Sequence, residues 1–260
     1  MILRMMLLGL TASSCAQPAY DDRIGVAGVR TSEGALAGHF GLASTAADLA
    51  QVPLLGEQVG GGMTISLVER AWDGAAYQQT NTVCRVINFE VAGLASTIDD
   101  ATARAVPPIA VTLEVDHASG AVSTEEFLEI WAVRDLSAAD PMPTARDDAR
   151  FFDMEADGHP GATVSTTGLV TGELYFAQRK ALTFTGVVRG PDEMLGLLTH
   201  KKEATVIDAT DELLLSQTER TQHPDPKLSW WHEVRLVDDA GCAELTAAVD
   251  GGSFSLLRPF

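Results

Sequence analysis

Basic residues are scarce. The chain has 18 Lys and Arg against 36 Asp and Glu, a net charge of −18 with a pI near 4.5. Nucleic acids and anionic membrane surfaces are held by clustered cations, so the charge balance excludes nucleic acid as a partner. Cysteine is scarcer still, at three residues, and neither Cys84 nor Cys242 has a metal-type neighbour, which argues against zinc. The six histidines, His39, His117, His159, His200, His223 and His232, show no metal-ligand spacing. No Gly-x-Ser-x-Gly elbow is present, which excludes an α/β-hydrolase, and Gly60-Gly61-Gly62 has no P-loop lysine after it. Solenoid-type repeats and low-complexity tracts are absent as well. No catalytic constellation stands out. A glycosidase-like carboxylate pair is decided by distances, so an unrecognised hydrolase stays open as a minor reading.

What is present begins with a leader. Arg4 supplies a positive start, Met5 to Leu10 an apolar run too short to span a bilayer, and Thr11 to Ser14 a region of small residues. Ala12-Ser13-Ser14-Cys15 resembles the lipobox of bacterial lipoproteins. That resemblance implies cleavage of residues 1–14 and a lipid on Cys15, which anchors the chain to a membrane. Ala16 in the next position implies sorting to the outer membrane of the cell envelope. Ordinary secretion with cleavage after Ala16 is the competing reading. With Cys15 lipidated, Cys84 and Cys242 are left to form one disulfide or to stand as two buried thiols.

Residues 15–33 read as a lipidated N-terminus and tether, and residues 34–260 as a single domain. Hydrophobic residues make up 46% of the chain, enough for a substantial core. Apolar alternation marks strands: Met63, Ile65 and Leu67 on one face; Val83, Ile87, Phe89 and Val91; Ile109, Val111, Leu113 and Val115; Leu182, Phe184 and Val188. Leu49 to Gly62, with Pro53 and four glycines, reads as a loop. Ser123 with Glu126 forms a capping box, and Ser123 to Leu136 reads as a short helical turn entering a strand. Leu245 to Leu257 reads as a segment that closes the sheet. About ten short strands spaced by turn signals predict an all-β, antiparallel fold, a lipocalin-like barrel first and a β-sandwich second. Gly38-His39-Phe40 is loosely similar to the Gly-x-Trp opening of lipocalins.

The densest local signal is Asp153-Met154-Glu155-Ala156-Asp157-Gly158-His159-Pro160-Gly161. Asp153, Glu155 and Asp157 occupy the first, third and fifth places of a calcium-type loop, and the His159 carbonyl the seventh. Val164 stands where an EF-hand needs its bidentate Glu, so this is not an EF-hand. A calcium-stabilised loop and a plain surface turn, favoured by Asp-Gly and Pro-Gly, both remain open. Trp131, Tyr175 and Trp230, with other aromatics, either pack a core or line a cavity for a small apolar ligand.

The lipobox, this acidic Pro-Gly loop, the Tyr175, Gln178 and Arg179 segment and the late Cys242 together resemble a group of uncharacterised lipoproteins of myxobacterial type. Members of that group carry Asp-x-Asp-x-Asp-Gly-x-Pro-Gly, from which Glu155 departs. The resemblance implies an envelope lipoprotein and brings no activity with it. The sequence therefore points to a non-enzymatic structural or interaction module with no protein partner identified. The alternative is a lipocalin-like carrier.

Overall fold

The computed structural model describes residues 25–52, 56–91, 93–215 and 220–252. The leader, Cys15 and the first part of the tether lie outside these residues.

The chain is almost entirely antiparallel sheet. In order it forms β1 (Gly38–Val52), β2 (Gly56–Trp72), β3 (Tyr77–Asn88), β4 (Leu94–Thr97), helix α1 (Asp100–Arg104), β5 (Ile109–Asp116), β6 (Ala121–Thr124), β7 (Phe127–Trp131), β8 (Ala162–Gly168), β9 (Gly172–Gly190), β10 (Glu193–Ala209), β11 (Arg220–Gln222), β12 (Trp230–Arg235) and helix α2 (Cys242–Asp250). Eight strands, β1-β2-β3-β5-β6-β9-β10-β12, close back on β1 as a ring.

The ring is not a regular barrel, because its longest strands change neighbours along their length. The first residues of β3, Tyr77 to Asn81, pair with β5, while Ile87 pairs with β4. Strand β9 pairs in turn with β8, β7 and β6, and β1 pairs with β12 and then β11. The expected all-β class is observed, and a uniform lipocalin-like wall is replaced by one that branches at one end.

Alternation sets what each face does. Phe40, Val68, Tyr77, Leu113, Val122, Phe127, Phe184, Val188 and Trp231 point inward and fill one end of the ring. Phe184 stacks on Trp231 with ring centroids 5.4 Å apart and meets Phe127 edge-on at 5.2 Å. Burial of a side chain this large stabilises by about 2–3 kcal/mol, so this aromatic set dominates the apolar contribution. The outer face carries a second cluster of Met63, Ile65, Cys84, Leu195 and Trp230 beneath Leu245 and Val249 of α2. A third, formed by Ala132, Val133, Leu136 and Phe151 from the long 132–161 connection, covers Ala177 and Ile207 on the outside of β9 and β10.

Cys84 and Cys242 form a disulfide with Cα atoms 5.2 Å apart, pinning α2 to β3.

Four local expectations are corrected. Leu49 to Val52 and Gly56 to Gly62 are not loop but strand, the end of β1 and the start of β2, with Leu49 opposite Val59 and Val52 opposite Gly56; Pro53 to Leu55 lie outside the described residues. Gly61, at φ +118°, sits so close to Ala46 that a Cβ would strike the Ala46 carbonyl, so glycine marks strand approach here. Ser123 to Leu136 has no helical turn: β6 and β7 are separate strands, because Val122, Thr124, Phe127 and Trp131 all point inward. Leu245 begins no strand, since Leu245 and Val249 are spaced for one helix face and the Glu244 carboxylate accepts from the Gly241 amide at 3.0 Å. Residues 25–33 do not all hang free: the Val29 amide donates to Val188 at 2.9 Å and the Thr31 amide to His117 at 3.2 Å.

Candidate functional site

The acidic loop is held by its own amides. Asp153 accepts from the amides of Asp157 at 3.1 Å and Gly158 at 2.8 Å. Asp157 accepts from the His159 amide and the Thr163 hydroxyl, each at 2.8 Å, and Glu155 accepts from the Thr163 amide at 2.6 Å. Burial works against the Asp157 charge, but the His159 amide and Thr163 outweigh it and hold the carboxyl below its ordinary range. The His159 ring stacks on Tyr175 at 4.3 Å. A cation here has to compete with these bonds, and among the described residues no three acid, histidine or cysteine side chains converge as a metal site.

The three aromatic residues nominated as a ligand lining lie in three places. Trp131 is fully buried inside the ring, beside Phe176 at 6.0 Å. Trp230 packs on the outer face under α2. Tyr175 lies beside the acidic loop and donates to Glu173 at 2.9 Å; burial and that carboxylate push its hydroxyl up to about 12.

What the structure brings together instead is a set of ionisable residues on the inner face of β1, β7, β9 and β10. Their burial is unusual for a chain this acidic. His200 Nε2 lies 2.7 Å from Asp48 Oδ1, with both side chains almost wholly buried. The His200 amide donates to Gln222 of β11 at 2.8 Å, locking β10 to that segment. One residue pair further along the same face, Lys180 of β9 stands directly opposite Lys202 of β10. Lys180 donates to Glu129 at 2.7 Å and lies 5.7 Å from the centre of the Trp131 ring. Trp131 Nε1 donates to the same Glu129 oxygen at 2.8 Å. Both bonds converge on Glu129 Oε1.

The electrostatics follow from this crowding. Burial opposes ionisation of Asp48, but the His200 hydrogen bond and the fields of Lys202 and Arg220 outweigh it and hold the carboxyl below 3.8. Burial, then Arg220 and Lys180, pull the Lys202 ammonium down to about 7, with Asp48 and Glu129 pulling weakly the other way. Lys202 is half-buried and Ala204, next on its face, is exposed, so this end of the ring opens to water and moderates the shift.

Asp48 and His200 resemble two thirds of a nucleophile-activating triad. His200 Nδ1 is buried, however, and has no hydroxyl or thiol partner among the described residues, so the pair activates nothing there. The residues of this cluster are scattered over more than 150 positions, 152 between Asp48 and His200 alone, so no local motif announces them. Only Glu129, Lys180 and Lys202, charged residues at inward positions of apolar strands, carried a signal in the sequence.

A second buried pair lies at the apolar end. Arg70 Nη2 is 2.8 Å from Glu233 Oε2, its Nε donates to Gln79 at 2.8 Å, and its guanidinium covers Phe40 at 4.7 Å. Burial pushes the Glu233 carboxyl up, with Arg70 opposing. Two recesses lie away from this inner face. One of about 410 Å3 lies between Arg85, Ile87, Ser96 and Asp100, where Arg85 is neutralised by Asp100 at 2.7 Å and Asp250 at 2.6 Å. No protein-family model, no curated protein and no solved structure matches the chain.

Proposed function

We propose that the protein is a non-enzymatic cell-envelope lipoprotein, tethered to the outer membrane through Cys15, whose β ring serves as a structural or interaction module. The observation that carries this reading is the Cys84–Cys242 disulfide. Such a bond persists in an oxidising compartment and is reduced in a cytosol. The packed apolar end of the ring, filled by Phe127, Phe184 and Trp231, favours a structural module over a hollow carrier. An Asp48–His200 pair without a nucleophile among the described residues favours a binding role over hydrolysis.

The test is to express the full chain in a two-membrane bacterium fed an alkyne fatty acid, then to map the label by mass spectrometry. The label is expected on Cys15, lost in Cys15→Ser, with Cys84 and Cys242 protected from alkylation until reductant is added. Full-length unlabelled chain in the cytoplasm, with both thiols alkylated, overturns the reading. Saturable binding of a fluorescent fatty acid that Trp231→Ala abolishes would replace it with the carrier.

A further inference from the structure

We propose that the open end of the ring is a binding site for a small, multiply charged oxyanion, held between Lys202 and Lys180 with Arg220 at its edge. Four observations carry this.

Like charges directly opposite each other on neighbouring antiparallel strands repel, and Lys180 faces Lys202 in register on the inner face of β9 and β10. The wall there is half-buried, where such repulsion is stronger than in water.

The carboxylates nearby are already engaged. Glu129 takes Lys180 and Trp131, and Asp48 takes His200. Lys202 and Arg220 donate to no carboxylate among the described residues, so three cations face two committed anions before His200 is counted. In the field at Lys202, Arg220 and Lys180 outrank both acids.

The same patch holds two buried polar atoms without partners, His200 Nδ1 and Gln178 Oε1. Both residues are more than nine-tenths buried on the inward face. An amide whose oxygen and nitrogen exchange places becomes a donor toward a bound oxygen.

Finally, the site is reachable. Exposure on the β10 face rises from His200, 6% exposed, through half-buried Lys202 to exposed Ala204. The overall charge of −18 keeps extended polyanions away, so the ligand is small. Two lysines opposite each other in register suit a ligand that offers two anionic groups, such as a diphosphate or a polycarboxylate.

The experiment titrates pyrophosphate and citrate into the full-length protein by calorimetry at fixed ionic strength. Saturable one-to-one binding, millimolar or tighter, is expected for at least one of them. Pyrophosphate as the tighter ligand assigns a phosphoryl group, and citrate a carboxylate. Lys202→Met, which keeps the apolar stem, is expected to weaken binding at least about tenfold. Lys201→Met, on the exposed outer face of the same strand, leaves binding unchanged. No saturable heat with either anion overturns the proposal. So does Lys202→Met binding like the wild type, or Lys201→Met losing as much. A second measurement needs no variant: brief acetylation of the wild-type protein, mapped by peptide mass, is expected to spare Lys202 when the bound anion is present. Equal acetylation of Lys202 with and without the anion overturns it as well.

Discussion

Cutting the Cys84–Cys242 bond is the perturbation whose size the structure defines best. The bond joins positions 158 residues apart, so it closes most of the domain into one loop. Loop-closure entropy for a ring of that length amounts to about 5 kcal/mol removed from the unfolded state. Its native-state partner is α2, nine residues long and docked by buried Leu245 and Val249. These two side chains contribute about 2 kcal/mol each, and the Arg85–Asp250 bridge at most about 1 kcal/mol, since Asp250 is 65% exposed. A helix of nine residues is shorter than the roughly 12–15 needed to persist alone. In a Cys84→Ala, Cys242→Ala variant, two things are therefore expected together. The urea midpoint of the ring falls by about 2 M if m is about 2.5 kcal/mol/M. The amides of α2 exchange through local opening while those of β1 and β2 still require global unfolding. A midpoint shift equivalent to less than about 1 kcal/mol, or α2 amides protected as strongly as β1, would refute the loop-entropy argument.

Three other outcomes are expected. Arg70→Met leaves Glu233 buried without its partner and should cost about 3–5 kcal/mol in urea unfolding, whereas Arg70→Met with Glu233→Leu should recover most of it; no recovery would mean that the pair is not the source of the loss. Asp48 has a folded-state pKa below 3.8, so its carboxylate contributes stability above that pH and loses it as pH falls through the lower folded value; unfolding midpoints between pH 5 and 2.5 should fall more steeply in wild type than in Asp48→Asn, and parallel curves would contradict this. Asp153→Ala removes acceptors from two loop amides and should lower stability by about 1–2 kcal/mol equally with chelator or calcium; a loss seen only in calcium would support the metal-loop reading instead.

The strand that reads most cleanly from the sequence is one with a wet face. Ile109 to Val115 alternate as written and form β5, with Ile109, Val111 and Leu113 buried and Ala110 and Glu114 exposed. Alternation failed where both faces are covered. In β9 the run from Tyr175 to Arg179 is buried without a break, because the inner core lies on one side and the 132–161 connection on the other. Glycines misled for a related reason: Gly60 to Gly62 are strand residues, and Gly61 and Gly62 stand at close backbone approaches, not turns. Gly186 and Gly196 stand opposite each other, and Gly186 makes room for the Trp231 indole, a cross-strand arrangement that single positions do not reveal. The acidic loop was visible as a turn through Asp157-Gly158 and Pro160-Gly161. Its hydrogen bonding was not, because it depends on where Thr163 of β8 lies. The ionisable cluster was hidden most fully, since its members come from four strands and meet only after the ring has closed.

Strand β12 lies between β1 and β10, so the wall is sealed by residues from the two extremes of the domain. Until residue 235 is made, β1 presents an unpaired flank and Trp231 has not reached the space over Gly186. A nascent copy emerging from the ribosome thus has no finished edge to hide, and the fold cannot lock early. That delay leaves the β1 flank open to pairing until the last strand of the ring is in place.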